Sequence, residues 1–128
     1  MRYYFSKTLT SSFDETIAKV TAESNKEGFG VLTEIDVKEA LEQKLDVDFK
    51  RYSILGAGNP AFAHEALQVE DKIGTMLPCN VIIQERSTTV VEVAAIDPSA
   101  SMQAIDNAKL KSGAEQMQAK LKRVIAAL

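Results

Sequence analysis

Twice near its start the chain repeats one arrangement: a run rich in aromatic or β-branched residues, a side chain able to cap a helix, and a glutamate three positions on. Tyr3, Tyr4, Phe5, Thr8 and Leu9 lead into Ser12 and Glu15, and Phe29 to Ile35 lead into Asp36 and Glu39. In such a capping box each side chain satisfies a backbone N–H left free at the helix start. The pattern predicts strand then helix twice over. The hydrophobic period changes in step, with Phe13, Ile17, Val20 and Ser24 sharing one helical face and Val37, Ala40, Leu41 and Leu45 another. Gly28 supplies the stop for the first helix.

Downstream, Tyr52 to Leu55 reads as a short strand running into Gly56-Ala57-Gly58-Asn59-Pro60, and Pro60 suits the first position of a third helix with Phe62, Ala63, Ala66, Leu67 and Val69 on its apolar side. Gly74 and Pro78 break the chain before Cys79 to Glu85, where Val81-Ile82-Ile83 suggests a strand buried on both faces. Arg86 to Thr88 turn into a partner strand ending at Ile96. Ala100 to Ala108 is expected as a short helix, and Leu110, Ala114, Met117, Leu121, Ile125 and Leu128 mark a long terminal one. The order β-α-β-α-β-α-β-β-α, without repeat or linker, predicts one α+β domain over residues 1–128. It has two layers, with helices on a mixed sheet of about five strands. The strand–helix–strand units should cross right-handedly if their strands are parallel, and the hairpin from Cys79 to Ile96 supplies an antiparallel pair; strand order does not follow.

At 128 residues and 45% apolar content the chain suits one core. Fifteen Lys and Arg against 18 Asp and Glu give a net charge of −3, which offers phosphate backbones no bulk attraction, so no nucleic-acid partner is expected. No apolar run approaches the ~20 residues of a membrane-spanning helix. A single cysteine cannot form an intramolecular disulfide, and the segment from Met1 to Lys7 lacks a leader's apolar run, so the expected compartment is the cytoplasm.

Gly56-Ala57-Gly58-Asn59-Pro60-Ala61 fits G-x-G-x-x-A, but Pro60 removes a backbone donor, the motif follows the third strand, and no acid for a ribose stands near Met76. Dinucleotide binding is therefore rejected. Two readings of the stretch remain. The glycines let the backbone turn while Asn59 caps the helix, or the free N–H groups of the helix start take a small anion. Cys79 is either a small buried apolar residue or a nucleophile, with no sequence-local base to lower its pKa. His64 falls beside Gln68, away from the apolar face, and Glu65 is expected to play a capping or surface role. No metal-ligand spacing is present, and no cofactor class follows. The basic residues Lys109, Lys111, Lys120, Lys122 and Arg123 fit the dipole of the last helix, whose apolar stripe is expected as core, with a homodimer using its edge as the alternative.

Tyr52-Ser53-Ile54-Leu55-Gly56-Ala57-Gly58-Asn59-Pro60, His64-Glu65-Ala66-Leu67 and Leu77-Pro78-Cys79-Asn80-Val81 carry a resemblance to domain-of-unknown-function family 302. Glu34-Ile35-Asp36-Val37-Lys38 and Lys44-Leu45 extend it. The resemblance implies a two-layer α/β domain and a tendency toward homodimers. It also implies a cysteine, in many members, where this chain has Gly58, which leaves any two-cysteine redox or metal site incomplete here.

The resulting expectation is a small binding module whose ligand, small and anionic, is held by Gly56, Gly58, Asn59, His64 and Asn80. The alternatives are an enzyme using Cys79 as a catalytic thiolate, or a homodimeric structural or interaction protein joined through the terminal helix or an open sheet edge.

Overall fold

The computed structural model describes residues 2–128; Met1, the first residue of the segment read for a leader, lies outside them. Strand β1 (Tyr4–Thr10) leads to helix α1 (Phe13–Lys26), and strand β2 (Gly30–Asp36) leads directly to helix α2 (Val37–Leu45). Half of each expected capping box forms. Ser12 Oγ accepts from the Glu15 N–H at 3.2 Å and Asp36 Oδ1 from the Glu39 N–H at 3.0 Å, while the Glu15 carboxylate takes the Ser11 hydroxyl instead of reaching back to Ser12. Gly28, at φ 83°, turns the chain after α1 in the left-handed region glycine adopts without strain.

Strand β3 (Tyr52–Gly58) and helix α3 (Pro60–Val69) follow, then a 3-10 turn (Asp71–Met76) and the hairpin of β4 (Cys79–Glu85) and β5 (Val90–Ile96). The expected helix over Ala100 to Ala108 lies earlier and is shorter. Asp97 caps α4 (Pro98–Ser101) through the Ser99 N–H, and Asn107 caps α5 (Ala108–Ala126) through the Lys109 and Leu110 N–H groups. Two capping side chains thus divide a segment whose apolar pattern alone does not.

The five strands lie in the order β1-β5-β4-β3-β2, and every neighbouring pair is antiparallel. The α+β, two-layer expectation holds; the mixed sheet does not. Helix α2, with nine residues, covers about 14 Å, against about 23 Å for a seven-residue strand. It is an excursion that returns to the end it left, so Asp36 pairs with Ser53. Helix α3 and the 3-10 turn do the same, and Ala57 pairs with Cys79. Only α1, at 14 residues and about 21 Å, is a true crossover, joining strands on opposite edges of the sheet.

The period-two alternation of the strands sends Leu55, Ala57, Val81, Ile83, Val93 and Ala95 to one face, where they meet α1, α3 and α5. The terminal stripe of Leu110, Ala114, Met117, Leu121, Ile125 and Leu128 is core, as expected, and buried throughout. Lys7 ties the edge strand to that helix, its Nζ donating to the Ala126 and Leu128 carbonyls at 3.2 and 3.0 Å. The opposite face carries no helix layer. Val81 and Ile83 are fully buried, but Ile82 between them is partly exposed, so β4 is not covered on both faces within one chain. Helix α2 buries none of its residues despite its apolar stripe.

Gly56 lies at the crossing of β3 with its neighbours, where a Cβ would strike Thr33 Oγ1 and come within 2.8 Å of Pro78 Cγ. Gly56→Ala is expected to lower stability by about 1–3 kcal/mol, read as a lower urea midpoint. Gly30→Ala, with nothing within 4 Å of the added carbon, should change it by less than about 0.5 kcal/mol. Equal midpoints for the two variants would contradict this account of Gly56.

Candidate functional site

At the far end of β3 the chain turns from Gly58 through Asn59 into α3, and the 3-10 turn brings Leu77, a cis Pro78 and Cys79 back beside it. These residues line a half-open pocket of about 210 Å³, floored by Ala57 and Cys79 and walled by Phe29, Phe62, Ala63 and Leu32, the last 69% exposed. Asn59 is the one amide in a wall otherwise made of apolar side chains, Gly58 and the Cys79 thiol. Leu32 stands at an irregularity of β2, between the Val31–Ala57 and Thr33–Gly56 pairs, and leans across Gly58. No Lys, Arg or His lines this cavity.

The helix start is largely closed to an anion by its own residues. Pro60 has no N–H, Asn59 Oδ1 accepts the Phe62 N–H at 3.1 Å, and the Asn59 carbonyl accepts the Ala63 N–H at 2.9 Å, leaving only that of Ala61. The expected anionic ligand therefore has neither cation nor open helix terminus to meet it. Of the residues expected to bind, Gly58 and Asn59 do line one cavity with Cys79; the others lie elsewhere. Gly56 packs under Thr33 and Pro78, and Asn80 is exposed on the bare sheet face. His64 is exposed in a separate groove of about 450 Å³ between α3 and α5, beside Lys109 and Gly113.

Cys79 is 5% exposed, and burial pushes its thiol up to about 11 from an ordinary 9.0. Desolvation penalises the thiolate, and neither a base nor a cation lines the cavity to restore it. The residues that sequence reasoning missed are Phe29, Leu32 and Leu77. Apolar residues at strand ends read as core, and only the register irregularity at Leu32 distinguishes it.

The family model for the domain of unknown function DUF302 matches residues 5–128. This chain belongs to the DUF302 family. No curated protein matches it. Among solved structures, an uncharacterized conserved DUF302 protein from Bacillus stearothermophilus superposes with a TM-score of 0.89 at 24% identity, covering 98% of each chain, and so shares the fold.

Within the DUF302 frame, position 58 stands one step out of phase with Ala57, the partner of Cys79. A side chain there would place its Cβ 2.6 Å from Leu32 Cδ1, another wall of the pocket that Cys79 floors. A cysteine at 58 would meet Leu32 first.

The protonated thiol makes stability depend on pH in a stated direction. Because the folded pKa is raised, the native state holds the proton more tightly, and stability is lost as pH rises through the window from about 9 to about 11. Wild type should lose about 2–3 kcal/mol relative to Cys79→Ala between pH 8 and 11.5, measured by urea unfolding. Native protein at pH 8 should take up iodoacetamide far more slowly than unfolded protein. Equal labelling rates, or no pH-dependent difference between the two chains, would refute the buried thiol.

Proposed function

We propose that this protein is a one-domain binding module that takes a small, mainly apolar molecule into the cavity between β3, β4 and the start of α3. The observation behind the reading is that Gly58 and Asn59 meet Cys79, from the next strand, around one pocket walled by Phe29, Leu32 and Phe62. An apolar cavity of ~150 Å³ holds benzene, so about 210 Å³ suits a substituted ring or a short alkyl chain. The thiol-enzyme alternative draws less support, since Cys79 at a pKa of about 11 is protonated at neutral pH. A buried free thiol suits a reducing compartment, and we place the protein in the cytoplasm.

The test is thermal shift with toluene, 1-pentanol and inorganic phosphate. At ten times its Kd a ligand adds about 1.4 kcal/mol, a rise of about 5 °C in Tm for a domain of this size. Toluene or pentanol should produce such a rise, phosphate none, and Ala63→Phe, which fills the cavity, should abolish it. A shift from phosphate alone, or an apolar shift that survives Ala63→Phe, would overturn the reading.

A second reading, homodimerisation, is favoured by a separate observation. The chain exposes 7419 Å², against about 6,700 Å² expected of a compact monomer of its mass. The surplus is of the size one partner loses in a modest interface.

A further inference from the structure

Resting on the homodimer reading, we propose that two copies meet through the sheet face that carries no helices, around Ile54, Ile82 and Ala94. The three inner strands are apolar at both parities. Ile54-Leu55, Val81-Ile82-Ile83 and Val93-Ala94-Ala95-Ile96 each place apolar side chains on both sides of the sheet, the composition of strands buried on two faces. Edge strand β1 instead alternates Phe5, Ser6, Lys7, Thr8 and Leu9. One chain covers only one of the two faces.

The register aligns the uncovered apolar groups. Ile35 pairs with Ile54, Ile54 with Ile82, and Ile82 with Ala94, so a row of apolar side chains crosses four strands. Flanking it, Ile35 is 52% exposed.

Area and charge point to a second copy as the occupant. Five seven-residue strands spaced ~4.8 Å apart, at ~3.3 Å per residue, present about 550 Å². Two copies would bury about 1,100 Å², above the ~1,000 Å² of a specific interface, and the area per copy matches most of the surface surplus. Arg86 on this face pairs with Glu92, which also accepts from Gln84 Nε2 at 2.9 Å, and Arg2 lies over the Tyr4 ring at the β1 edge. The three inner strands thus bring no net charge to the face and repel no copy of themselves. Two twisted sheets pack face to face at about −30°, a two-fold arrangement that flat apolar rows permit.

The experiment is the solution mass of the full chain by light scattering for wild type, Ile82→Glu and Ala94→Arg, with circular dichroism to confirm folding. Wild type should give twice 14.0 kDa and the two variants half of that. Should the variants fail to fold, wild type decides alone, because all three tyrosines, Tyr3, Tyr4 and Tyr52, line the depression on this face. On dilution, acrylamide quenching of tyrosine emission should rise with the same midpoint as the fall in mass. Variants that remain dimeric, or a mass that halves with quenching unchanged, would overturn this face while leaving the homodimer. A monomeric wild type at all concentrations would overturn both.

Discussion

Helices α1, α3 and α5 all press on the same side of the sheet, and the side chains caught between them and the strands hold the rest of the structure in place. Val81, Ile83, Val93 and Leu121 in that layer are fully buried, each worth about 1.5–3 kcal/mol against exposure. Their burial sets strand register, since a slip of one residue would turn them all outward. It also fixes where Cys79 points. The thiol belongs to the same parity as Ala57, Val81 and Ile83, which is why it ends as the floor of a cavity rather than as a reactive surface group.

Because one layer of helices satisfies only one face, the other is left to the strands themselves. Helix α2 stays at the strand ends, where Leu45, Val47 and Phe49 remain exposed. A nine-residue helix that buries nothing has little intrinsic stability. Its place is held by the Asp36 cap and by Lys38, which donates to Asp48 and to the Phe49 carbonyl.

Much of this architecture was legible in the residues. Ser12, Asp36 and Pro60 mark helix starts, and the terminal stripe from Leu110 to Leu128 marks a core helix, because these signals are local. Pairing direction was not: an intervening helix suggests a parallel crossover, but α2 and α3 return the chain to the end it left, and the strands on either side pair antiparallel. The run Val81-Ile82-Ile83 suggests a strand buried on both faces, but Ile82 is partly exposed and the chain covers only one side of β4. At the candidate site, Gly58, Asn59 and Cys79 were legible through the motifs that carry the family resemblance. Leu32 and Phe29 were not, because their role depends on the register of an edge strand. His64 and Asn80, close in sequence to the site, point to other surfaces. Adjacency along the chain says little about adjacency across a pleated sheet.

The contrast between Ile82 and Ile83, consecutive residues on opposite faces of β4, tests the central claim most directly. With isoleucine δ1 methyls labelled, a water-soluble gadolinium chelate should relax the core methyl of Ile83 hardly at all in any state. If the helix-free face is covered in the native protein, Ile54 and Ile82 at high protein concentration should be protected to the same degree as Ile83. Methyls of Ile54 and Ile82 that relax strongly beside a protected Ile83, at every concentration, would show a face open to water and contradict the account.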